Sequence, residues 1–423
     1  MTSTQLWPAP RASRPLAAVV ALPGSKSVTN RMLVLAALAE GESVVRRPLR
    51  SRDTELMAAA LRVLGAQVSD SPAGDWIVVG GHLTATGQHV DVGNAGTVAR
   101  FLPPVAALTT GSVVFDGDPR VRERPLGPLL VALRELGGRL DGVTALPVLI
   151  TGRGGLRGGQ VTLDASASSQ LISGLLLSAP RFDEGLVVRH EGPALPSAPH
   201  LTMTVDALRA AGAIVETGRD TWTVQPGPLR PRDAIVEPDL STAAAYLAAP
   251  LVAGGSVSVP GWPAVSTQPG AVLPDLLAQM GGSVTRTGDT LTVTAGNRLT
   301  GIDADLRDAG ELTPVLSALA CFATGSSTFR GVAHLRLQET DRLAALVTEL
   351  TGLGADIRET ADGLEVRPRR LHAGTFRSYD DHRIAMAGAV VGLGVDGVQV
   401  EDIATTRKTV PDFVGSWTGM LGG

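Results

Sequence analysis

The sequence predicts an α/β protein assembled from six copies of a βαβαββ unit, and two regular series of helix-like segments support this prediction. Helices of one series start at Ser27, Thr97, Ser169, Ser241, Thr313 and His382, so that successive starts are 70, 72, 72, 72 and 69 residues apart. Helices of the other series end in a hydrophobic residue and a glycine, at Gly65, Gly137, Gly212, Gly281, Gly354 and Gly422. Strand-like runs such as 76–79 and 290–293 follow. A solenoid is the alternative for any repeat, but solenoids repeat one surface, whereas each unit here carries different polar residues at the same place.

Length and composition limit the class of protein. A chain of 423 residues with 44% hydrophobic content can bury a large core and is expected to form two domains. The net charge of -4 gives no reason to expect nucleic acid or an anionic membrane as a partner. Because no signal peptide or membrane-spanning run is recognised, we expect a soluble, cytoplasmic protein.

The cysteine and histidine content argues against a disulfide-linked protein and against a metal-binding protein. The single cysteine, Cys321, lies in an apolar run, so we expect it to be a core residue, and one cysteine excludes an intrachain disulfide. The seven histidines form no ligand spacing with cysteines or carboxylates. We therefore expect neither a metal nor a cofactor.

Residues 22–31, with the sequence LPGSKSVTNR, form the most informative local motif. The apolar run Leu16–Leu22 before it is expected to be a buried strand, and the apolar spacing after it predicts a helix capped by Ser25. The first two turns of that helix contain Lys26, Ser27 and Arg31. Free backbone N–H groups and the positive end of the helix dipole favour an anion there. The motif indicates a phosphate or carboxylate site, but not a nucleotide P-loop, because Ser25 rather than glycine precedes the lysine.

Lysine is almost absent from the chain. Of the 37 Lys and Arg residues, only Lys26 and Lys408 are lysines. Arginine stays protonated near neutral pH, whereas a lysine that is desolvated or close to other cations can donate and recover a proton. Because both lysines occur in helix-start motifs, we interpret them as functional residues rather than as lysines that remain by coincidence.

Seven basic residues are predicted at helix N-terminal turns, where a cation opposes the helix dipole unless an anion offsets it. They are Lys26, Arg31, Arg100, Arg124, Arg342, Arg383 and Lys408. A solvated basic surface explains any one of them, but seven together indicate that several helix starts converge on a highly anionic ligand. Such a site suits a reaction between two anionic small molecules, because arginine forks clamp phosphate and carboxylate. An acid near Lys26 and a base near Glu339 would permit proton transfer in both directions.

Seven segments, distributed over nearly the whole chain, together carry a specific resemblance. They are PGSKSVTNR (23–31), NAGTVAR (94–100), RERP (122–125), SSQ (168–170), ETDR (339–342), DDHR (380–383) and RKTVPDF (407–413). In this combination the chain resembles the enolpyruvyl transferases, and most closely the branch of that family that acts on shikimate 3-phosphate. The resemblance implies a two-domain inside-out α/β barrel with three βαβαββ units per domain, hinged around a cleft. Residues 23–236 would form the domain with most of the shikimate 3-phosphate site, and residues 1–22 and 237–423 the domain that completes the phosphoenolpyruvate site.

The resemblance also implies an activity. This branch transfers the enolpyruvyl group of phosphoenolpyruvate to the 5-hydroxyl of shikimate 3-phosphate, through a tetrahedral intermediate, and releases phosphate. The reaction belongs to the shikimate pathway, which leads to chorismate and the aromatic amino acids. We therefore expect a cytoplasmic, monomeric transferase with these two substrates, and Gly96 further suggests sensitivity to glyphosate.

The resemblance assigns roles to the residues that match the family's motifs. Those implied for shikimate 3-phosphate are Lys26, Ser27, Arg31, Ser168, Ser169, Gln170, Ser197, His200, Glu311, His334 and Gln338. Those implied for phosphoenolpyruvate are Lys26, Asn94, Gly96, Thr97, Arg124, Gln170, Arg342, Arg383 and Lys408. The implied catalytic residues are Lys26, Glu311, Glu339, Asp53 and His382. Asp53 would orient Lys26, Glu339 would shuttle the proton of the methylene carbon, and either Glu311 or Glu339 would be the first base.

Four candidate positions depart from the family's pattern. Glu311 stands where Asp is frequent, and Gln338 stands where Lys is frequent. His200 replaces a common Tyr, and His334 replaces a common Asn. Because Gln338 lacks the cation and the proton donor of a lysine, Lys26 must carry more of the proton transfer.

Two other functions are compatible with parts of the pattern. A UDP-N-acetylglucosamine enolpyruvyl transferase would share the architecture but use a loop cysteine near Arg124, and residues 118–124 contain none. A non-catalytic phosphate-binding scaffold would need no acid–base pair and would tolerate Lys26→Arg.

Overall fold

The computed structural model describes residues 5–142 and 144–422, and the chain forms two compact units. Residues 24–236 make up the first, which we call the inserted unit. The described residues before Gly24 and after Val236 make up the second, the terminal unit. Each unit has its own hydrophobic core. Within the described ranges, no helix combines the length and the apolar composition needed to cross a membrane.

The helices and strands of the described residues are numbered here in chain order. The helices are α1 (Lys26–Leu38), α2 (Arg52–Val63), α3 (Gly96–Leu108), α4 (Gly127–Glu135), α5 (Gln170–Ser178), α6 (Pro199–Ala210), α7 (Ala243–Ala253), α8 (Leu273–Gln279), α9 (Thr313–Ala320), α10 (Arg342–Gly352), α11 (His382–Gly394) and α12 (Phe413–Gly422). The strands are β1 (Leu6–Pro8), β2 (Leu16–Val19), β3 (Gly41–Arg46), β4 (Gln67–Asp70), β5 (Trp76–Gly80), β6 (His89–Asp91), β7 (Thr110–Asp116), β8 (Arg139–Asp141), β9 (Val148–Arg153), β10 (Gly159–Leu163), β11 (Leu186–His190), β12 (Val215–Gly218), β13 (Thr221–Val224), β14 (Asp233–Ile235), β15 (Gly255–Val259), β16 (Ser283–Thr287), β17 (Thr290–Thr294), β18 (Asp303–Asp305), β19 (Ser327–Arg330), β20 (Asp356–Glu359), β21 (Leu364–Arg367), β22 (Gly374–Phe376) and β23 (Val398–Glu401).

The inserted unit contains three four-stranded sheets, in the strand orders β14-β3-β5-β4, β6-β7-β9-β8 and β10-β11-β13-β12. In each sheet the first pair of strands is parallel and the other pairs are antiparallel. A parallel pair needs a crossover connection, which α3 and α5 provide in the second and third sheets. The antiparallel pairs β4–β5, β8–β9 and β12–β13 are consecutive in the chain, whereas a helix and a further strand separate the members of the pairs β3–β5, β7–β9 and β11–β13. This is the βαβαββ unit that the sequence predicts.

The terminal unit repeats the pattern in the sheets β16-β17-β15-β2 and β18-β19-β21-β20 and varies it in a three-stranded sheet, β1-β23-β22. In the third sheet, β22 and β23 are parallel, and β1 pairs antiparallel with β23. Strand β1 thus occupies the position that a hairpin strand occupies in the other sheets. With three sheets in each compact unit, the predicted sixfold α/β fold is confirmed.

Three helices in each unit pack on one another, namely α1, α3 and α5 in the inserted unit and α7, α9 and α11 in the terminal unit. Almost every residue of α3 and of α11 is buried. A helix that is covered on all sides is expected to be mainly apolar, as α3 and α11 are apart from the residues near their starts. The sheets pack against the outside of these central helices, and this is the inside-out arrangement.

The expectation that Leu16–Leu22 forms a buried strand is wrong. Strand β2 covers only Leu16–Val19 and lies at the edge of its sheet, where it pairs only with β15. One face of an edge strand can remain in contact with solvent. Accordingly, Leu16 is buried but Val19 is 73% exposed.

The expectation that every predicted cation lies at an α-helix N-terminus is wrong for Arg124 and Lys408. Arg124 follows the 3₁₀ segment Pro119–Glu123 in an extended conformation, with φ -76° and ψ 143°. Proline at position 125 disfavours the helical conformation of the residue before it. Lys408 ends the 3₁₀ segment Ile403–Lys408, ahead of α12. Both side chains therefore project from short turns rather than from α-helices.

Candidate functional site

Lys26 and Asp53 form an ion pair between the starts of α1 and α2. The turn before α1 requires glycine, because a Cβ on Gly24 would lie 2.4 Å from the carbonyl oxygen of Arg47. Lys26 is the first residue of α1, and its Nζ lies 3.3 Å from Oδ2 of Asp53. The two side chains are 16% and 5% exposed. The ammonium that the sequence singles out is thus held in place by a buried carboxylate, with little water around the pair.

Arg31 is buried and links α1 to α6. Its Nε donates to Oγ1 of Thr204 at 2.8 Å, and its Nη2 donates to the carbonyl oxygen of His200 at 3.0 Å. Its Nη1 donates to the carbonyl oxygen of Ser27 at 3.0 Å. The ring of Phe101 lies 5.2 Å from the guanidinium carbon, within the range of a cation–π contact. Through these contacts Arg31 stabilises the packing of α1 against its neighbours in the inserted unit. Its binding of a ligand carboxylate stays a prediction.

Gly96, the first residue of α3, lies between two guanidinium groups. Arg124 donates through Nη1 to the carbonyl oxygen of Asn94 at 3.0 Å and to its Oδ1 at 3.2 Å. Arg100 donates through Nε and Nη2 to the carbonyl oxygen of Pro125 at 3.2 and 3.1 Å. A Cβ on Gly96 would lie 2.7 Å from Nη1 of Arg100 and 2.8 Å from Nη2 of Arg124. Only glycine therefore lets both cations approach the helix start, where backbone N–H groups also favour an anion.

Hydrogen bonds join the starts of the three central helices of the inserted unit. Nδ2 of Asn30, in α1, donates to Oγ1 of Thr97, in α3, at 2.6 Å. Nη1 of Arg100, also in α3, donates to Oε1 of Gln170, the first residue of α5, at 2.9 Å. The candidate residues of the motifs 23–31, 94–100 and 168–170 are therefore neighbours in space.

Three serine hydroxyls come from two loops, one before α5 and one before α6. Oγ of Ser169 donates to the carbonyl oxygen of Ser197 at 3.3 Å. The amide of His200 donates to the same carbonyl oxygen at 3.0 Å. Ser197 has a left-handed backbone conformation with φ 55°, and Oγ of Ser168 accepts from the amide of Gln170 at 3.4 Å. Hydroxyl groups beside the start of a helix suit a phosphate ligand.

In the terminal unit, the Glu339 carboxylate lies between two cations. Its Oε1 is 2.9 Å from Nζ of Lys408, and its Oε2 accepts from Nη2 of Arg342 at 2.9 Å. Arg342 also donates through Nε to Oδ2 of Asp381 at 2.8 Å. Burial lowers the pKa of Arg342, but Asp381 and Glu339 outweigh this effect and raise the pKa above its usual range. The network therefore pairs two cations with two carboxylates in a nearly dry environment.

Asp381 is a site residue that the sequence analysis did not select. Its side chain is fully buried, caps α11 by accepting from the amide of Arg383 at 2.8 Å, and orients the Arg342 guanidinium through both oxygens. Nδ1 of His382 lies 3.7 Å from the same carboxylate. The only sequence signal for a role of Asp381 was its position as a helix N-cap before His-Arg. Helix capping alone accounts for an aspartate at such a position, so the signal did not indicate a site residue.

His334 lies close to Gly310, the residue before Glu311, in the terminal unit. Glu311 belongs to a 3₁₀ turn that precedes α9, and its Oε2 accepts from Oγ of Ser241 at 3.3 Å. A Cβ on the neighbouring Gly310 would lie 2.8 Å from Nε2 of His334. Gln338, directly before Glu339, is half-buried. The motifs before α9 and before α10 are therefore neighbours, as are those before α10 and α11.

The geometry fits anion binding and proton transfer. The inserted unit supplies cations, hydroxyls and helix starts, and the terminal unit supplies a carboxylate held by an ammonium and a guanidinium. Cys321 is 3% exposed, as predicted for a core residue, and burial raises its pKa to about 12, so it is protonated and does not act as a nucleophile. Among residues 5–142 and 144–422, no group of three or more His, Cys, Asp or Glu side chains could hold a metal ion.

Comparisons with known proteins agree with the resemblance seen in the motifs. The family described as EPSP synthase (3-phosphoshikimate 1-carboxyvinyltransferase) matches residues 10–417. A 3-phosphoshikimate 1-carboxyvinyltransferase of Kocuria rhizophila is 51% identical over 432 aligned positions, which cover 99% of this chain and 97% of that protein. The similarity therefore extends over both compact units.

Solved structures show the same fold. An EPSP synthase from Acinetobacter baumannii superposes with a TM-score of 0.83 at 26% identity, covering 99% of this chain and 98% of that one. The enolpyruvyl transferase NikO from Streptomyces tendae superposes with a TM-score of 0.76 at 19% identity, covering 97% and 96% of the two chains. The second likeness concerns the fold alone.

Proposed function

Because this chain belongs to the EPSP synthase family, we propose that it is a 3-phosphoshikimate 1-carboxyvinyltransferase of the shikimate pathway. It transfers the enolpyruvyl group of phosphoenolpyruvate to the 5-hydroxyl of shikimate 3-phosphate and releases phosphate. The observation that carries the proposal is the Glu339 carboxylate between Lys408 and Arg342, because it combines a proton acceptor with two phosphate-binding cations. We expect the enzyme to act in the cytoplasm as a monomer.

Shikimate 3-phosphate is assigned mainly to the inserted unit. Ser168, Ser169 and Ser197 bind its phosphate. The support is that the Ser168 hydroxyl lies at the start of α5 and the Ser169 hydroxyl contacts the backbone of Ser197. Ser27 and Arg31 bind its carboxylate. The remaining contacts are assigned to Gln170, His200, Glu311, His334 and Gln338, with Glu311 accepting from the ring hydroxyls.

Binding of phosphoenolpyruvate is assigned to residues of the inserted unit and of the terminal unit, most of them cations. Arg124, the Gly96 amide and the neighbouring Asn94, Thr97 and Gln170 contribute from the inserted unit, and Arg342, Arg383 and Lys408 contribute from the terminal unit. Each phosphate brings about two negative charges near pH 7, which several guanidinium groups can neutralise while fixing its orientation. Holding both reactants in one orientation supplies a large share of the rate enhancement.

The reaction proceeds by addition and elimination. The 5-hydroxyl oxygen bonds to C2 of phosphoenolpyruvate and gives up its proton to a carboxylate, Glu311 or Glu339. The second bond between C2 and C3 breaks in the same step, and C3 takes a proton from Glu339 and becomes a methyl group, which leaves Glu339 as a carboxylate. The tetrahedral intermediate then returns a proton from C3 to Glu339, and the C2–O bond to phosphate breaks with its electron pair leaving on oxygen. Lys26, held by Asp53, touches both substrates and assists proton transfer at the bridging oxygen, and His382 supports this proton relay.

Phosphate release tests the proposal directly. The purified protein is mixed with phosphoenolpyruvate and either shikimate 3-phosphate or UDP-N-acetylglucosamine, and released phosphate is measured. We expect release only with shikimate 3-phosphate, together with the carboxyvinyl ether product by mass spectrometry. Release with the sugar nucleotide instead, or with neither acceptor, would contradict the assignment.

A further inference from the structure

His190 joins the two loops that carry the serine hydroxyls. It is the last residue of β11, which runs parallel to β10 with Leu163 opposite His190. The loop after β10 contains Ser168 and Ser169, and the loop after β11 contains Ser197. Because adjacent parallel strands end at the same edge of a sheet, both loops leave from one point. The buried His190 ring lies at that point, 6% exposed.

Both ring nitrogens of His190 have backbone partners, and these partners determine the tautomer. Nδ1 lies 3.2 Å from the amide nitrogen of Ala165, which can only donate, so Nδ1 carries no proton. Nε2 lies 2.8 Å from the carbonyl oxygen of Pro193, which can only accept, so Nε2 carries the proton. The ring is therefore a neutral Nε2–H imidazole that connects the two loops.

Each bond leads on to a serine. The carbonyl oxygen of Ala165 accepts from the amide of Ser168 at 3.0 Å, so the His190 contact holds the turn that ends at the first hydroxyl. On the other side, the Pro193 contact holds the loop that reaches Ser197, whose carbonyl oxygen accepts from Oγ of Ser169 at 3.3 Å. His190 is thus connected to Ser168 through Ala165 and two hydrogen bonds, and to Ser197 through one hydrogen bond and the loop residues 193–197.

Residues 191–194, the first part of the second loop, are exposed, whereas Leu195 packs against the core of the unit. Gly192, Ala194, Leu195 and Ala198 line an open cavity of about 610 Å³ beside the loop. A loop that borders an open space lacks the contacts that normally hold a backbone in one conformation. Links back to the β10 side include the His190 hydrogen bonds, the Glu191 amide bond to the carbonyl oxygen of Leu163 at 3.2 Å, and the Ser169 bond to Ser197. Gly192 also lies close to Asp164, whose Cγ would be 2.7 Å from a Cβ at that position.

We propose that His190 is a positioning residue for phosphate binding, which holds the Ser168–Ser169 loop and the Ser197 loop at the separation that the phosphate of shikimate 3-phosphate requires. The inference rests on the proposed function, because it uses the assignment of these serines to that phosphate. His190 itself touches no reacting group, so its removal affects recognition of one substrate rather than the chemical step.

Steady-state kinetics of His190→Phe test the inference. This substitution keeps a ring but removes both hydrogen bonds, and two lost bonds correspond to a rise of about 5- to 100-fold in KM for shikimate 3-phosphate. We expect kcat and the KM for phosphoenolpyruvate to change by less than about threefold. His190→Asn retains an acceptor near the Ala165 amide, and His190→Gln retains a donor near the Pro193 carbonyl, so each should recover part of the loss. His82→Phe, at an exposed histidine of the same unit, is the matched control and should behave as wild type.

Two further measurements separate the possible failures. Ser197→Ala is assayed in parallel, because an unchanged KM in that variant would overturn the serine assignment and the inference with it. A raised KM in Ser197→Ala but not in His190→Phe would overturn the inference alone. A fall in kcat together with a similar rise in both KM values for His190→Phe would show a general structural defect. That result would also overturn the inference about His190. In ¹⁵N spectra of histidine-labelled protein, the signals that His190→Phe removes should be those of a neutral ring protonated at Nε2, and a cationic or Nδ1–H ring would contradict the geometry.

Discussion

Nζ of Lys408 lies 2.9 Å from Oε1 of Glu339, while Arg342 donates to the other oxygen of the same carboxylate. Glu339→Gln keeps the size of the side chain but removes its capacity to take up a proton. Because general acid–base catalysis contributes about 10²- to 10⁴-fold, we expect kcat to fall by that factor. Glu365→Gln, which alters surface ion pairs with Arg358 and Arg367, is the control and should leave kcat unchanged. Near-normal turnover in Glu339→Gln would exclude the carboxylate as proton shuttle.

Lys26→Arg separates charge from proton transfer. The variant keeps a cation beside Asp53, so binding of shikimate 3-phosphate should remain measurable by calorimetry. Arginine does not release a proton near neutral pH, so kcat should fall by about 10²- to 10⁴-fold. Arg46→Lys, a charge-conserving change in a surface pair with Asp233, is the comparison and should keep full turnover. A non-catalytic scaffold or a purely electrostatic role for Lys26 would instead tolerate the arginine.

Gly96→Ala tests the space between the two guanidinium groups. The new Cβ would lie within 2.7 and 2.8 Å of Arg100 and Arg124, so the ends of these flexible side chains must move. A displacement of about 1 Å in a positioning group can cost about 100-fold in activity, and we expect it mainly as a raised KM for phosphoenolpyruvate. Gly227→Ala, where nothing lies within 4 Å, is the matched control in the same unit. Equal KM values for Gly96→Ala and wild type would show that the arginines do not need this space.

Cys321 should be inert in the folded enzyme. Its pKa of about 12 means that about one thiol in 10⁴ is ionised at pH 8, and its burial also excludes reagents. We expect no reaction with a thiol-specific disulfide reagent until the protein is unfolded, and then one equivalent. Rapid labelling accompanied by loss of activity would point instead to a reactive cysteine of the kind used by the sugar-nucleotide enzymes.

Both tyrosines of the chain should ionise late in the folded protein. Burial raises the pKa of Tyr246 to about 12, and burial together with the hydrogen bond to Glu349 raises that of Tyr379 to about 12. Because these values exceed the ordinary value near 10, the associated stability is fully present below pH 10 and is lost as the pH rises toward 12. At pH 11, absorbance at about 295 nm, the tyrosinate band, should therefore rise when urea unfolds the protein and should stay low in the folded protein. The Tyr379→Phe variant should show half of that rise. Titration of both groups near pH 10 in buffer would contradict this.

The local motifs of the sequence were sufficient to select most candidate residues, because glycine, serine and cations at a helix start have a meaning within a few residues. The pairing of Lys26 with Asp53 was expected only from the resemblance to the enolpyruvyl transferases, because the two residues are 27 positions apart in the chain. Asp381 could not be anticipated, because its importance comes from Arg342, 39 residues earlier in the chain. The buried partners of Arg31, at Thr204 and His200, are 173 and 169 residues away and leave no local signal.

By itself, the sequence determined the sixfold α/β repeat and the chemical types gathered at the helix starts, since hydrophobic period and residue chemistry are local properties. Only the tertiary structure decided which of these groups contact each other: that Glu339 is held by both Lys408 and Arg342, that Gly96 makes room for two guanidinium groups, and that His190 joins two serine loops. The physical reason is that ion pairs and hydrogen bonds act over about 3 Å, and distances of that order between residues far apart in the chain arise only when helices and strands pack.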